Sequence, residues 1–275
     1  LLSVASFAQT LLRSADATGI KTEIERVGND PSSWDEPLFK FVLSGSPSGC
    51  NSDVLSLIEA RYSDRGNYDR QEISGSTVQN ILGQDPDRLA YFPKASKEGR
   101  LISEYHVDAF SRQSYNKEKQ GELAEWLRFK RSDKKSRADG LFPEMMAMSP
   151  IARFFWYIFF TRKTATKDSF IQTSIKNAEK QIENTPGFLV ITSRSKRLPD
   201  LLDTGRLYMD VLLKCTELEV KNHTISQILE EDPWKETISD DLALKHPVQF
   251  IIRTGTSKSE GYGPHIRRSF NQIIQ

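Results

Sequence analysis

The chain has almost no net charge: 38 basic and 37 acidic side chains leave +1 over 275 residues. A surface so balanced offers no field for gathering a polyanion, so no nucleic-acid partner is expected. Cysteine is scarce too. Cys50 and Cys215 are the only two, too few for a disulfide framework, and neither stands in a Cys-x-x-Cys pair. His106, His223, His246 and His265 are scattered, with no His-x-x-x-His pair and no cysteine at ligand spacing, which argues against a metal centre. No apolar run approaches the roughly 20 residues that a spanning helix needs. The densest, residues 154–160, is bracketed by Arg153 and by Arg162-Lys163. It reads as a buried or interface helix, with Met145, Met146 and Met148 as filling beside it. The start lacks the basic-then-apolar order of a secretory leader, and the expected location is the cytoplasm.

What the sequence does contain is a repeat. Residues 1–21 and 201–221 match at a fixed offset: Leu1, Leu2, Leu12 and Lys21 recur as Leu201, Leu202, Leu212 and Lys221. Ala5, Leu11, Ala15 and Ile20 are answered by Gly205, Val211, Cys215 and Val220. Both segments carry apolar or small residues at helical spacing, so each is expected to be a core helix. Each is followed by a strand pattern opened by proline and closed by glycine, residues 37–45 and 247–255. Two copies in the same order predict a pseudo-two-fold arrangement. The first copy has nothing ahead of its helix, whereas about 150 residues lie between the first strand and the second helix. Residues 1–50 are therefore expected to be the C-terminal remnant of one half and 51–275 a second half, together one compact domain. With no initiator methionine and a helical pattern from Leu1 onward, the first half reads as truncated. Further helices are expected over residues 53–62, 120–130 and 169–183, and a buried strand over 188–192. Residues 46–51 read as a connecting turn. The mixture lacks strict alternation, which favours α+β over a doubly wound parallel sheet.

Two clusters could carry chemistry. In Arg61-Tyr62-Ser63-Asp64-Arg65, two guanidinium groups flank a hydroxyl at a helix-to-turn junction, a donor set suited to a phosphate. The alternative is a solvated turn in which Asp64 pairs one arginine. The second cluster is Gly261-Tyr262-Gly263-Pro264-His265-Ile266-Arg267-Arg268, adjacent arginines behind a Gly/Pro turn. The basic stretches 117–119, 130–137 and 194–197 read as solvated loops, with the adenosine phosphate of NADPH as a second use.

Taken together, these motifs resemble those of the FMN-dependent nitroreductases. Arg61-x-Ser63-x-Arg65-x-x-Tyr68 is similar to the family's Arg-Arg-Ser/Thr-x-Arg-x-Tyr/Phe signature. The order that follows resembles the Acg-type branch, in which one chain carries two halves of the fold. It runs from Ile58–Tyr68 through a helix with Trp126, the loop Asp139-Gly140-Leu141-Phe142-Pro143 and the helix with Gly205. It continues with Ile225-Ser226-Gln227-Ile228-Leu229-Glu230, then Pro247, Arg253, Gly255 and Arg267-Arg268. The resemblance departs at Tyr62, where the family has a second arginine, and at Val220, where it has glycine. The branch's early flavin-touching segment would precede Leu1.

The resemblance implies an α+β fold, a nitroreductase-like α/β/α sandwich with a central, mostly antiparallel sheet. It implies FMN as cofactor and NAD(P)H as reductant, with a small-molecule electron acceptor. Arg61, Ser63 and Arg65 would contact the FMN phosphate and ribityl chain, Arg267 or Arg268 would close from the opposite side, and Ser226 and Gln227 would lie near the isoalloxazine ring. The flavin would carry the redox chemistry, so no protein nucleophile is required. The alternative expectation is a non-catalytic flavin-binding or flavin-free module of the same fold, serving sequestration, regulation or protein interaction. The doubled architecture implies a monomer that acts as a pseudo-dimer, or a homodimer formed through the aromatic run.

Overall fold

A computed structural model of the chain describes residues 1–27, 37–45, 47, 49–257, 266, 268, 269 and 271. It opens with helix α1 (Leu2–Ala17), strands β1 (Lys21–Arg26) and β2 (Phe39–Ser44), and helices α2 (Ser52–Ala60) and α3 (Gly75–Leu82). Strand β3 (Leu89–Pro93) leads to the long α4 (Lys97–Tyr115), then α5 (Lys117–Trp126) and the short α6 (Asp133–Ser136). A 3-10 turn (Pro143–Met146) precedes α7 (Pro150–Phe159), α8 (Arg162–Ala165) and α9 (Asp168–Glu183). The chain then forms β4 (Gly187–Thr192), α10 (Leu198–Glu217), β5 (Lys221–Ile225), α11 (Gln227–Glu230), α12 (Trp234–Asp241) and β6 (Val248–Gly255). Serine or asparagine side chains cap α2, α3, α4, α5 and α7 at their N-termini, satisfying amides that no turn of helix can reach.

Strands β3, β4, β6 and β5, in that order, form one sheet in which every pair is antiparallel. Alternation along the strands sends Leu189, Ile191 and Ile252 to one face, where they meet Val211, Leu212 and Cys215 of α10 and Ile81 of α3. Phe188, Val190, Ile225 and Ile251 take the other face, against Ile102 of α4, Ile182 of α9 and Ile238 of α12. The result is a three-layer sandwich of helices, sheet and helices. A satellite cluster built by residues 124–170 stacks Trp156 on Phe160 at 4.7 Å and on Phe129 at 5.5 Å. The aromatic run is thus only half buried: Trp156 is sealed, while Phe154, Phe155, Ile158 and Phe159 stay exposed. No helix among the described residues is long and apolar enough to cross a membrane.

The matching segments have matching surroundings. β1 pairs antiparallel with β2, Lys21 opposite Ser44, as β5 pairs with β6, Lys221 opposite Gly255. Helix α1 lies on α10, and the contact centres on positions related by the offset. A Cβ on Gly205 would stand 2.7 Å from the Cβ of Ala5 and 2.4 Å from the Leu2 carbonyl oxygen. The Ser6 hydroxyl donates to the Gly205 carbonyl at 2.8 Å.

The helix expected over residues 120–130 starts earlier and stops at Trp126. The next residues are captured by the 139–141 loop: Leu141 N donates to the Trp126 carbonyl at 2.8 Å, and Arg128 N to the Leu141 carbonyl at 2.9 Å. Leu127 is consequently buried and Trp126 exposed. Of the expected turn 46–51, Ser46 and Ser48 lie outside the described residues, and Asn51 caps α2.

Candidate functional site

The Arg61–Arg65 segment is built by the end of α2 and the open edge of the sheet. Helix α2 packs on α10, and Arg61 leaves it in extended conformation as the C-cap. The chain then wraps the edge strand β5: Asp64 N donates to the Asn222 carbonyl at 2.8 Å, and Asp69 N to the Thr256 carbonyl at 2.7 Å. Asp64 is buried and pairs with neither arginine. Its carboxylate accepts from Gly66 N at 2.7 Å and from the Tyr62 hydroxyl at 3.2 Å, locking the turn from inside. This wrap separates the motif's two cations. Arg61 stays on the α10 side, close enough for its charge to favour the Tyr208 phenolate, although burial dominates and pushes that phenol up. Arg65 emerges on the α9 side, where its carbonyl accepts from Gln181 Nε2 at 2.7 Å.

Arg65 is half-buried, and desolvation lowers its pKa. Its Nη1 reaches the Met145 carbonyl at 3.5 Å, and it has no carboxylate partner among the described residues. Ser63 is half-buried with no hydrogen-bond partner among the described residues. Both are donors available to an anion.

Grooves open at both ends of β5. One, of about 580 Å³, is lined by Tyr62, Thr216, Lys221, Asn222, Thr256 and Ser257. There Lys221 Nζ donates to the Tyr62 hydroxyl at 3.1 Å and lies 5.4 Å from the ring centre. An ammonium therefore stands beside position 62, although that position itself is uncharged. The other groove, about 550 Å³, is lined by Ser226, Thr224, Phe250, Leu201 and Lys196 on the α10 side. Ser226 forms the N-cap of α11 without a side-chain capping bond; Gln227 begins that helix, half-buried. Asn222 and Ser226 are four residues apart along a strand, about 13 Å.

Arg268 is held elsewhere. Its Nη2 donates to Asp139 at 2.6 Å, and the same carboxylate receives Arg128 at 2.7 Å. Arg128 first, then Arg268, hold the Asp139 carboxyl below the usual range. Arg267 lies outside the described residues. The structure thus brings Arg65 and Arg268 to one loop, residues 139–145, through Met145 and Asp139. It does not bring Arg61 there. Sequence reasoning gave no role to Lys221, seen only as the match of Lys21, or to Arg253, named only as a motif position and standing as a lone charge in the strand pattern Phe250-Ile251-Ile252-Arg253. Interrupted apolar alternation was the signal for the latter.

No protein-family model matches the chain, and no curated protein matches it. Solved structures share its architecture. It is similar to the FMN-dependent nitroreductase NfnB from Mycobacterium smegmatis, solved with NADPH, at a TM-score of 0.51 and 9% identity over 82% of this chain and 97% of that one. It is also similar to the FMN and NADPH-dependent nitroreductase NfnB from Sphigopyxis sp. strain HMH, at TM-score 0.48 and 14% identity over 80% and 97% of the two chains. An FMN-bound nitroreductase from Bacteroides fragilis gives TM-score 0.43 and 14% identity over the same 80% and 97%. The chain has the nitroreductase fold, an α+β sandwich around an antiparallel sheet.

Proposed function

We propose that this chain is an FMN-binding, NAD(P)H-dependent oxidoreductase of the nitroreductase superfamily, reducing a small-molecule acceptor. The observation that carries the reading is the segment bearing Ser63 and Arg65. On a nitroreductase fold, it presents a hydroxyl and a half-buried guanidinium that no carboxylate among the described residues neutralises. That donor set fits a phosphate monoester. Lys221 beside Tyr62 supplies a cation where the family signature has a second arginine, and the edge of β5 offers a path from that groove to Ser226. In this reading Ser63 and Arg65 hold the phosphate, Arg61 and Lys221 approach the ribityl chain from the α10 side, Ser226 and Gln227 border the ring, and Arg267 or Arg268 closes over it. FMN, when bound, supplies hydride acceptance and electron transfer to the acceptor. The protein's part is to bind, orient and exclude water.

The two-halves reading is proposed with it: residues 1–50 as part of one half and 51–275 as the other, as in the Acg-type branch. Its support is the offset-related contact of Ala5 with Gly205 and the matching strand pairs. Such a chain acts as its own pseudo-dimer in a monomer, and in a homodimer the exposed side of α7 is the added interface.

A non-catalytic role has its own support. Arg61 and Arg65 diverge to opposite faces of the sheet and Arg268 is tied to Asp139, so the grip is not pre-assembled. One experiment separates the readings. Purified protein mixed with FMN and desalted is expected to keep flavin absorption that NADPH or NADH bleaches without oxygen. Protein that retains no flavin eliminates the enzyme; flavin retained but not bleached by either nucleotide selects the binding module.

A further inference from the structure

The sheet face beneath α4 and α9 is apolar except along one row. The register places Phe188, Arg253 and His223 side by side across β4, β6 and β5, so Arg253 points into the same layer as Ile251 and Val190. It is completely sealed, at 0% exposure. Its Nη2 donates to the Gly66 carbonyl, and its guanidinium lies 4.3 Å from the centre of the Tyr68 ring. Its Nε and Nη1 are buried with no partner. From α4 comes His106, 3% exposed, and from β5 comes His223; the Nδ1 atom of each is also buried and unpartnered. Arg253 is near enough for its charge to act on both imidazoles, and Arg65 on His223.

Among the described residues no side chain balances this charge. No ion pair reaches Arg253 or Arg65 among the described residues. Asp64, on the adjoining turn, directs its oxygens to Gly66 N and the Tyr62 hydroxyl. Tyr68 donates its hydroxyl to the Asp64 carbonyl at 2.7 Å, and burial keeps it a neutral phenol. A guanidinium cannot shed its proton to escape burial, and an isolated charge in a dry interior is strongly unfavourable. An acceptor with negative charge is the group that would satisfy these donors.

We infer that Arg253, His106 and His223 enclose a binding site for a small monovalent anion of the halide class. Arg253 offers one of its two unpartnered donors, Nε–H or Nη1–H, which point to different sides of the guanidinium, and each imidazole offers Nδ1–H in the matching tautomer. With Arg253 and His106 sealed and His223 half-buried, the surroundings suit a compact ion rather than an organic acid. A bound halide fixes the plane of Arg253, whose Nη2 in turn holds Gly66 and so steadies the turn that carries Arg65. The site is separate from the flavin reading and stands or falls without it.

Crystals of the full chain soaked in sodium bromide, measured at the bromine edge, test this directly. An anomalous peak within hydrogen-bond distance of Arg253 Nε or Nη1 is expected. Surface bromide peaks with none at Arg253, or a water there in their place, overturn the site. In solution, thermal unfolding in sodium bromide against sodium gluconate at equal ionic strength is expected to show a saturable rise in Tm with bromide. His106→Phe, which keeps the bulk and loses a donor, moves the half-saturating bromide upward by about tenfold. A rise that is identical for both anions, or a midpoint unmoved by His106→Phe, contradicts the proposal.

Discussion

His106 sits on α4 with 3% of its surface exposed. Burial, and then the charge of Arg253, push its pKa down to about 3. The groups facing it are Arg253 from β6 and His223 from β5, whose own pKa is lowered by burial and by Arg253, Arg65 and His106. In the unfolded chain an imidazole takes up its proton near pH 6.5. Between the two values the unfolded state binds more protons, so stability is full above the unfolded pKa and declines as pH falls. One such histidine contributes a slope of up to about 1.4 kcal/mol per pH unit. Urea unfolding in halide-free buffer between about pH 6 and pH 4.5 is expected to show it, and His106→Gln to flatten it. An unchanged slope in that variant places the pH dependence elsewhere. Gly205 gives a second residue-scale test. Any side chain there meets the Leu2 carbonyl and Ala5, so Gly205→Leu lowers the unfolding free energy by about 1–3 kcal/mol. Full stability in that variant would mean that α1 does not press on α10 as described.

At the scale of elements, α4 is the buttress under which the buried cations lie, and its start is set by one hydroxyl. Ser96 Oγ accepts from Gly99 N at 2.9 Å. Ser96→Ala is expected to cost about 1 kcal/mol in chemical denaturation, whereas Ser132→Ala, at a helix start with no side-chain capping bond, stays within about 0.5 kcal/mol. Equal effects from the two would remove the cap from the account. Helix α4 was not anticipated from the sequence because its polar residues mask the stripe Leu101-Ile102, Tyr105-His106, Ala109-Phe110, in which a buried histidine stands at a core position. Strands β1 and β5 were missed for a related reason. Lys21-Thr22-Glu23-Ile24-Glu25-Arg26 is charged on both faces, and Lys221-Asn222-His223-Thr224-Ile225 puts asparagine and histidine where strands favour branched or aromatic residues. By contrast, α9, α10 and β4 were legible because their apolar periods are unbroken, and β6 because its apolar run stands between a proline and a glycine with Arg253 its only charge. The Arg61–Arg65 cluster was legible as a cation-rich turn. That the chain crosses the sheet edge within it was not, since Asp64 N bonding to Asn222 O is a contact across more than half the sequence.

Over the whole molecule, the offset-related helices α1 and α10 meet at Ala5 and Gly205, and the sheet edge they flank carries the candidate site. The central claim is that cations near this edge, Arg65 foremost, recognise the phosphate of a flavin mononucleotide. FMN and riboflavin differ only by that phosphate, so comparing their affinities isolates the interaction from ring stacking and fold stability. The measurement is equilibrium binding of both flavins to the wild-type chain and to Arg65→Ala. Loss of charge-assisted bonds to phosphate corresponds to about 10- to 100-fold. The prediction is that wild type prefers FMN by at least about that factor and that Arg65→Ala gives up most of the preference while binding riboflavin as before. Equal affinity of the wild type for both flavins, or a preference that survives the loss of Arg65, would contradict it.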